Sequence, residues 1–247
     1  MKFSNTIAIL YSVPRSGSTY VEKAIGSYLH THYGHASLSE FFNVNLIVNF
    51  QDKQITVDID NWHENLYQYR LKFEEVQKIR GERVGWLEQS RPNYFLKLLE
   101  PQLSQREMEE LFMKSDVFFC RRENLWEHLL SFLISMATHQ FYPKDGMKWE
   151  PGGIRAPFDL FLIFINHLSR YRRMKKAHPS HPEIVFEELL EKGSGYMASL
   201  GFDREFRWDE VGYPPKQNLR DKELAFSNLD EIEDWYKQSY LNIIYPI

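Results

Sequence analysis

The stretch over residues 7–20 constrains the fold more than any other part of the chain. An apolar run, a polar turn and a helical pattern follow one another there without a break. The apolar run has the length and β-branched content of a buried strand. The turn places Gly17 among three hydroxyl residues, and the apolar side chains after it recur at helical spacing. A strand, a small-residue turn and a helix form an anion site, because N–H groups at a helix N-terminus point at the ligand.

The turn differs from the common nucleotide-binding loop. No G-x-x-x-x-G-K-[ST] sequence occurs in the chain, so the lysine of that loop is missing. Arg15 stands instead on the N-terminal side of the turn, where its guanidinium can donate two N–H groups to a phosphate. The same residues also fit an ordinary strand–turn–helix connection that a serine caps.

A second strand pattern leads into a helix through two arginines. Residues 116–120 are strand-like, Arg121 and Arg122 follow, and a helix pattern with one apolar face begins near Leu125. Arginines at the carboxyl end of a strand can hold a phosphate, because ligands of open α/β sheets collect at that edge. The alternative is a pair of surface arginines before a helix.

Two further ionisable residues lie among apolar neighbours. Lys97 interrupts the apolar run over residues 94–99, where an ammonium group needs a partner or extends from the strand end to solvent. Glu40 precedes two phenylalanines. Burial beside aromatic rings raises the pKa of a carboxyl group, and a raised pKa makes a glutamate a competent proton acceptor near neutral pH. On the residues alone, Glu40 fits better as a glutamate in the first turn of a helix, beside two phenylalanines of the core.

Strand and helix patterns alternate along the chain, which predicts an α/β fold with a mostly parallel central sheet. Further helices are predicted over residues 61–80, 104–114, 157–176, 196–200 and 228–240 and around Leu189, with a hairpin over 45–60 and a strand over 183–187. Ser104 is the predicted cap of the helix over 104–114, and Asn228 or Asp230 that of the helix over 228–240. The chain has 247 residues and no evident linker, so we expect a single domain over residues 1–247.

Composition narrows the class of protein. A net charge of −4 argues against a general nucleic-acid binder, and no cluster of metal ligands is evident. Cys120 is the only cysteine, so an intrachain disulfide is excluded and a reducing compartment is favoured. No apolar run has the length of a membrane span or the form of a signal peptide. We therefore expect a soluble, cytoplasmic protein.

Taken in order, these pieces resemble the sulfotransferases that use 3′-phosphoadenosine-5′-phosphosulfate (PAPS). One segment is similar to that family's loop for the 5′-phosphosulfate, namely Pro14, Arg15, Ser16, Gly17, Ser18 and Thr19. The two arginines with Ser131 are similar to its 3′-phosphate site, and the spacing favours Arg122 as the ligand. Residues 184–189 are similar to its late strand. The resemblance implies a three-layer, P-loop-type fold with helices flanking a mostly parallel sheet.

The chain departs from the common family pattern at two places. Many members have a histidine base in a K-x-H segment, whereas Lys97 is followed by two leucines and Glu100. A subgroup similar to the bacterial trehalose sulfotransferase has a glutamate in an E-[FY]-F segment instead, which makes Glu40 the preferred base. The family's C-terminal R-K-G segment is also absent. Lys216, Arg220 and Lys222 are the basic residues nearby, and Lys216 is the one that the resemblance assigns to the cofactor.

The resemblance implies transfer of a sulfuryl group from PAPS to an acceptor hydroxyl or amine, with 3′-phosphoadenosine-5′-phosphate (PAP) as product. Glu40 would take the acceptor's proton, and Arg15 and Lys97 would stabilise the developing charge, without any metal. The acceptor would be a small molecule, a glycan or a lipid, and a homodimer is compatible with the pattern. His128, His35 and Glu100 are the next candidates for the base.

Two other functions stay open on the sequence. One is a nucleotide-dependent kinase or other phosphotransferase with a variant P-loop, which would need ATP and a magnesium carboxylate. The other is a non-catalytic nucleotide-binding protein of the same fold, which would bind the nucleotide without turning it over.

Overall fold

The computed structural model describes residues 5–39, 78, 81–87, 89, 93–100, 102–138, 149–202 and 219–239. The strands are β1 (Ile7–Ser12), β2 (Ala36–Ser39), β3 (Tyr94–Leu99), β4 (Asp116–Arg121) and β5 (Glu183–Val185). The helices are α1 (Ser18–Tyr33), α2 (Gln105–Phe112), α3 (Leu125–Thr138), α4 (Phe158–Ala177), α5 (Phe186–Lys192), α6 (Ser194–Ser199), α7 (Leu219–Leu224) and α8 (Leu229–Gln238). Residues 81–87 are also helical.

The five strands form one sheet in the order β2-β3-β1-β4-β5. Every pairing among these strands is parallel, and Ser12 at the end of β1 lies opposite Leu99 of β3 and Cys120 of β4. The loops after β1, β3 and β4 therefore leave the sheet at the same carboxyl edge, where ligands of such sheets bind. The predicted α/β fold with a mostly parallel sheet is confirmed.

Helices cover both faces of the sheet. Alternate residues of β1 point to opposite sides, so Ile9 and Tyr11 join one apolar cluster while Ala8 and Leu10 join another. The first cluster includes residues of α2, α3, α4 and α8, and the second includes residues of α1, α5 and α6. This arrangement confirms the predicted three layers. In the described part of the chain, no helix combines the length and the apolar character that crossing a membrane requires.

Three local predictions have different outcomes. Ser104 begins α2 in a reciprocal capping box with Glu107, which confirms the predicted cap. The predicted strand over residues 183–187 is shorter, because α5 begins at Phe186. Asn228 occupies the N-cap position of α8 but makes no side-chain cap, since its amide pairs with the backbone of Ala156 instead. The predicted hairpin over 45–60 lies outside the described residues.

Candidate anion-binding site at the carboxyl edge of the sheet

The connection from β1 to α1 is a strained turn. Arg15 has φ 68°, which is the one positive value at a non-glycine residue in the described chain, and Gly17 has φ 85°. The Ser16 N–H donates to the Val13 carbonyl at 3.3 Å and closes the turn. A side chain in this left-handed region costs about 1–3 kcal/mol and persists only where the surroundings impose it. The fold therefore maintains an unfavourable backbone at Arg15.

Gly17 meets two requirements at once. Its positive φ disfavours any residue with a side chain, and a Cβ at this position would lie 2.5 Å from the Phe186 ring. Phe186 opens α5 and also lies under the Arg122 guanidinium, whose central carbon is 5.5 Å from the ring centroid. One aromatic ring thus contacts both the turn after β1 and the arginine after β4.

The N-terminus of α1 is suited to a negative charge. Gly17 provides no side-chain cap, and the first turn of this 16-residue helix has no acidic residue. The leading N–H groups of a helix carry a partial positive charge and need acceptors. An anion at this end of α1 would supply them.

Lys97 lies behind the first turn of α1. Its ammonium is 2.8 Å from Glu22 Oε2 and donates to Thr19 Oγ1 at 3.1 Å. The lysine is 1% exposed and the glutamate 8% exposed, so the lysine does not extend to solvent. The sequence analysis did not identify Glu22 as the partner of Lys97. The signal that could have identified it is a carboxylate on the buried face of α1, three residues after Thr19.

Arg122 and Ser131, which the resemblance assigns to one phosphate position, lie together. The Arg122 Nη1 donates to Ser131 Oγ at 3.5 Å across the start of α3. Two carboxylates also face this guanidinium: Glu127 Oε1 is 3.5 Å from Nη2, and Glu187 Oε1 is 3.8 Å from Nε. The arginine is therefore oriented from three sides at the carboxyl edge of β4.

The neighbouring arginine has a different role. Arg121 pairs with Glu183 of β5 at 3.1 Å, and the Tyr171 hydroxyl donates to the same carboxylate at 3.0 Å. This pairing ties β4 to β5 and to α4. Of the two arginines that the sequence left open, Arg122 is the one beside Ser131.

A lysine from α7 lies near Arg122, because both side chains face the same Glu127 carboxylate oxygen. The Lys222 ammonium lies 2.7 Å from Glu127 Oε1 and is 3% exposed. Burial lowers the pKa of Lys222, whereas Glu127 favours its charged form. Burial would raise the pKa of Glu127, but Arg122 and Lys222 outweigh it and lower that pKa. Sequence spacing could not assign Lys222 to this site, because it follows Arg122 by a hundred residues in the chain.

Two alternative candidates for the base are engaged elsewhere. His128 Nε2 lies 2.8 Å from the Pro14 carbonyl oxygen, and burial lowers the pKa of His128 to about 3. Glu100 is 1% exposed, accepts from the Tyr11 hydroxyl and pairs with Arg170 at 3.0 Å. Burial raises the pKa of Glu100. Both groups hold the edge of the sheet together.

A cavity of about 480 Å³ opens beside Arg122, between β4, β5 and α4. Its basic lining residues are Arg121, Arg122, Arg172, Lys175 and Lys176. The Lys175 ammonium donates to the carbonyls of Pro179 and His181 at 3.0 and 2.7 Å. The basic end of α4 therefore partly lines a cavity, although a run of this kind is usually a solvated helix end.

Two predicted site residues, Glu40 and Lys216, lie outside the described residues. β2 ends at Ser39, at the same carboxyl edge of the sheet, and Glu40 is the next residue in the sequence. Within the ranges that the structure covers, no group of three or more histidine, cysteine, aspartate or glutamate residues could hold a metal ion.

Cys120, the only cysteine of the chain, lies directly beneath the turn. Its side chain is fully buried, with Sγ 3.9 Å from the Ser16 carbonyl oxygen, and burial raises the pKa of the thiol.

Comparisons with known proteins give structural neighbours alone. No family model and no curated protein matches the chain. Two similar solved structures are both of retinol dehydratase: one is in complex with androsterone and the inactive cofactor PAP, the other with retinol and PAP. Their sequences are 14% and 15% identical to this chain, and both have a TM-score of 0.40. Each similarity covers 96% of this chain, and 67% and 71% of the respective neighbour.

Proposed function

We propose that the chain is a sulfotransferase that moves a sulfuryl group from PAPS to an acceptor hydroxyl or amine. The observation that carries the proposal is the contact of Arg122 with Ser131 at 3.5 Å, on the strand next to the turn after β1. Two separate anion positions at one sheet edge suit a nucleotide with acidic groups at both its 5′ and 3′ ends. ATP carries all of its phosphates at the 5′ end, so it has no acidic group for the second position.

Each end of the nucleotide has its own cations. Arg15 and the N-terminus of α1 would bind the 5′-phosphosulfate. Arg122, Ser131 and Lys222 would bind the 3′-phosphate, and Lys216 is assigned to the same end by resemblance. A 3′-phosphate would compete with Glu127 and Glu187 for the Arg122 guanidinium.

The proposed chemistry is an in-line transfer. The acceptor oxygen or nitrogen forms a bond to sulfur while the bond from sulfur to the bridging oxygen of the 5′-phosphate breaks, and PAP leaves. Glu40 takes the proton from the acceptor. Arg15, the turn amides, Ser18 and Thr19 stabilise charge on the bridging oxygen, and Lys97 acts through its bond to Thr19. Positioning and charge stabilisation supply most of the rate in such transfers.

A thermal-shift and calorimetry panel with PAP, AMP and ATP tests the assignment. We expect PAP to stabilise and bind the protein most strongly, and Arg122→Ala to remove the preference of PAP over AMP. Arg155→Ala is a matched control, because Arg155 also pairs with a carboxylate (Glu231, 3.1 Å) but lies on the surface. Equal binding of PAP and AMP by the parent protein would overturn the cofactor assignment.

The same panel, together with a labelled-sulfate transfer assay, separates the other functions. Preferred binding of ATP with magnesium would favour a kinase or phosphotransferase. Tight binding of PAP with no transfer of labelled sulfate from PAPS to any small-molecule, glycan or lipid acceptor would favour a non-catalytic binding protein.

A further inference from the structure

The carbonyl of Pro14 is held by a histidine from another element. His128 lies in the first turn of α3, and its Nε2 is 2.8 Å from the Pro14 oxygen. A carbonyl oxygen accepts but does not donate, so Nε2 carries a proton. Burial lowers the pKa of His128 to about 3, so the ring is neutral at pH 7. The other ring nitrogen, Nδ1, is buried without a hydrogen-bond partner among the described residues. The ring is 1% exposed and packs edge-on against Phe164 at 5.0 Å.

This bond also sets the direction of the next N–H group. The peptide unit between Pro14 and Arg15 is planar, and in a trans peptide the C=O and N–H groups point to opposite sides. Since the Pro14 carbonyl turns towards α3, the Arg15 N–H points away from α3. The strained φ of 68° at Arg15 needs surrounding contacts to maintain it, and the bond from His128 is such a contact.

The same helix serves both anion positions. Ser131 follows His128 by three residues on α3 and accepts from Arg122. Resting on the proposed function, we infer that His128 is a positioning residue, which fixes the turn after β1 in register with the 3′-phosphate position. It acts through the Pro14 carbonyl and not by exchanging a proton.

Three variants isolate the hydrogen bond from the bulk of the ring. His128→Phe keeps an aromatic ring but removes the donor, and His128→Gln places an amide N–H near the position of Nε2. His167→Phe is the matched control, because His167 is another buried histidine on α4, next to Phe132 at 6.0 Å. Among the described residues, His167 makes no hydrogen bond or ring contact with the turn, so the same chemical change there tests general damage to the core.

The first measurement is amide hydrogen exchange of Ser16, whose N–H donates to the Val13 carbonyl, in the nucleotide-free protein. We expect His128→Phe to speed exchange at this amide about tenfold, the scale for one lost hydrogen bond, with a rate closer to the parent in His128→Gln. His167→Phe should leave the rate unchanged. Unchanged exchange in a folded His128→Phe protein would overturn the inference without touching the proposed function.

The second measurement is the affinity for AMP against that for 3′-AMP. A turn that loses its position should weaken AMP binding about tenfold, while 3′-AMP binding should change less than about threefold. Equally weakened binding of AMP and 3′-AMP would indicate general destabilisation of the protein and overturn the positioning role of His128. If the parent bound neither nucleotide while the exchange difference persisted, the proposed function would fall and the role of His128 in holding the turn would stand.

Discussion

Gly17 occupies a position that a larger residue fills only at a cost. We expect Gly17→Ala to lower the free energy of unfolding by about 1–2 kcal/mol for the left-handed backbone and about 1–3 kcal/mol more for the clash with Phe186. Gly34→Ala is the control, since Gly34 has φ 68° but no atom within 4 Å of its added Cβ. Chemical denaturation of both variants measures the difference, and equal losses would contradict a role for Phe186.

Glu40 is the residue on which the proposed chemistry depends most. Its amide variant cannot accept a proton, so Glu40→Gln should retain PAP binding and lose about a hundredfold or more in the rate of transfer. Calorimetry with PAP and a labelled-sulfate assay check the two halves of this prediction. A variant with the parent's turnover would move the base to another residue.

At the scale of elements, β3 and α1 are joined by the buried pair of Lys97 and Glu22. Lys97→Met leaves a buried carboxylate without its cation and should lower the free energy of unfolding by about 3–5 kcal/mol. The double variant Lys97→Met with Glu22→Leu should recover part of that loss, because neither charge then remains.

The control for this cycle is Lys237→Met, which breaks the exposed pair with Glu233 on α8. Exposed pairs contribute little, so this change should affect stability only slightly. Additive losses in the cycle between Lys97 and Glu22 would contradict a direct interaction.

At the scale of the whole molecule, two neutral histidines make the fold sensitive to acid. Burial lowers the pKa of His128 to about 3 and that of His167 to about 4, from an ordinary 6.5. Below pH 6.5 the unfolded chain therefore binds protons that the folded chain does not. Stability should fall as the pH drops from 6.5 towards 4 and 3, by about 1.4 kcal/mol per pH unit for each ring.

Urea denaturation between pH 7 and pH 5 measures this slope. The variants His128→Phe and His167→Phe should each reduce the slope of stability against pH by the contribution of one histidine, whatever their effect on stability at pH 7. A slope that neither variant changes would contradict the assignment to these histidines.

Patterns local in sequence predicted most of the architecture. The apolar runs predicted β1, β3, β4 and β5 but not β2, whose residues Ala36–Ser39 do not form an apolar run. The family resemblance, and not a local pattern, assigned Arg122 and Ser131 to one site. Glu22 and Lys222 were not assigned, because their partners Lys97 and Glu127 lie about 75 and 95 residues away in the chain. Such pairs are set by the order of strands and the placement of helices, which no local pattern contains.

Because Cys120 is buried beneath the turn after β1, labelling of its thiol reports local opening of the fold there. A thiol reagent reacts with this fully buried side chain when the fold around it opens, so the labelling rate measures how often that happens. Since a ligand that binds the closed form alone lowers the population of the open form, saturating PAP should slow labelling in proportion to its affinity. No introduced probe is needed, because the chain contains no second cysteine that would compete for the reagent.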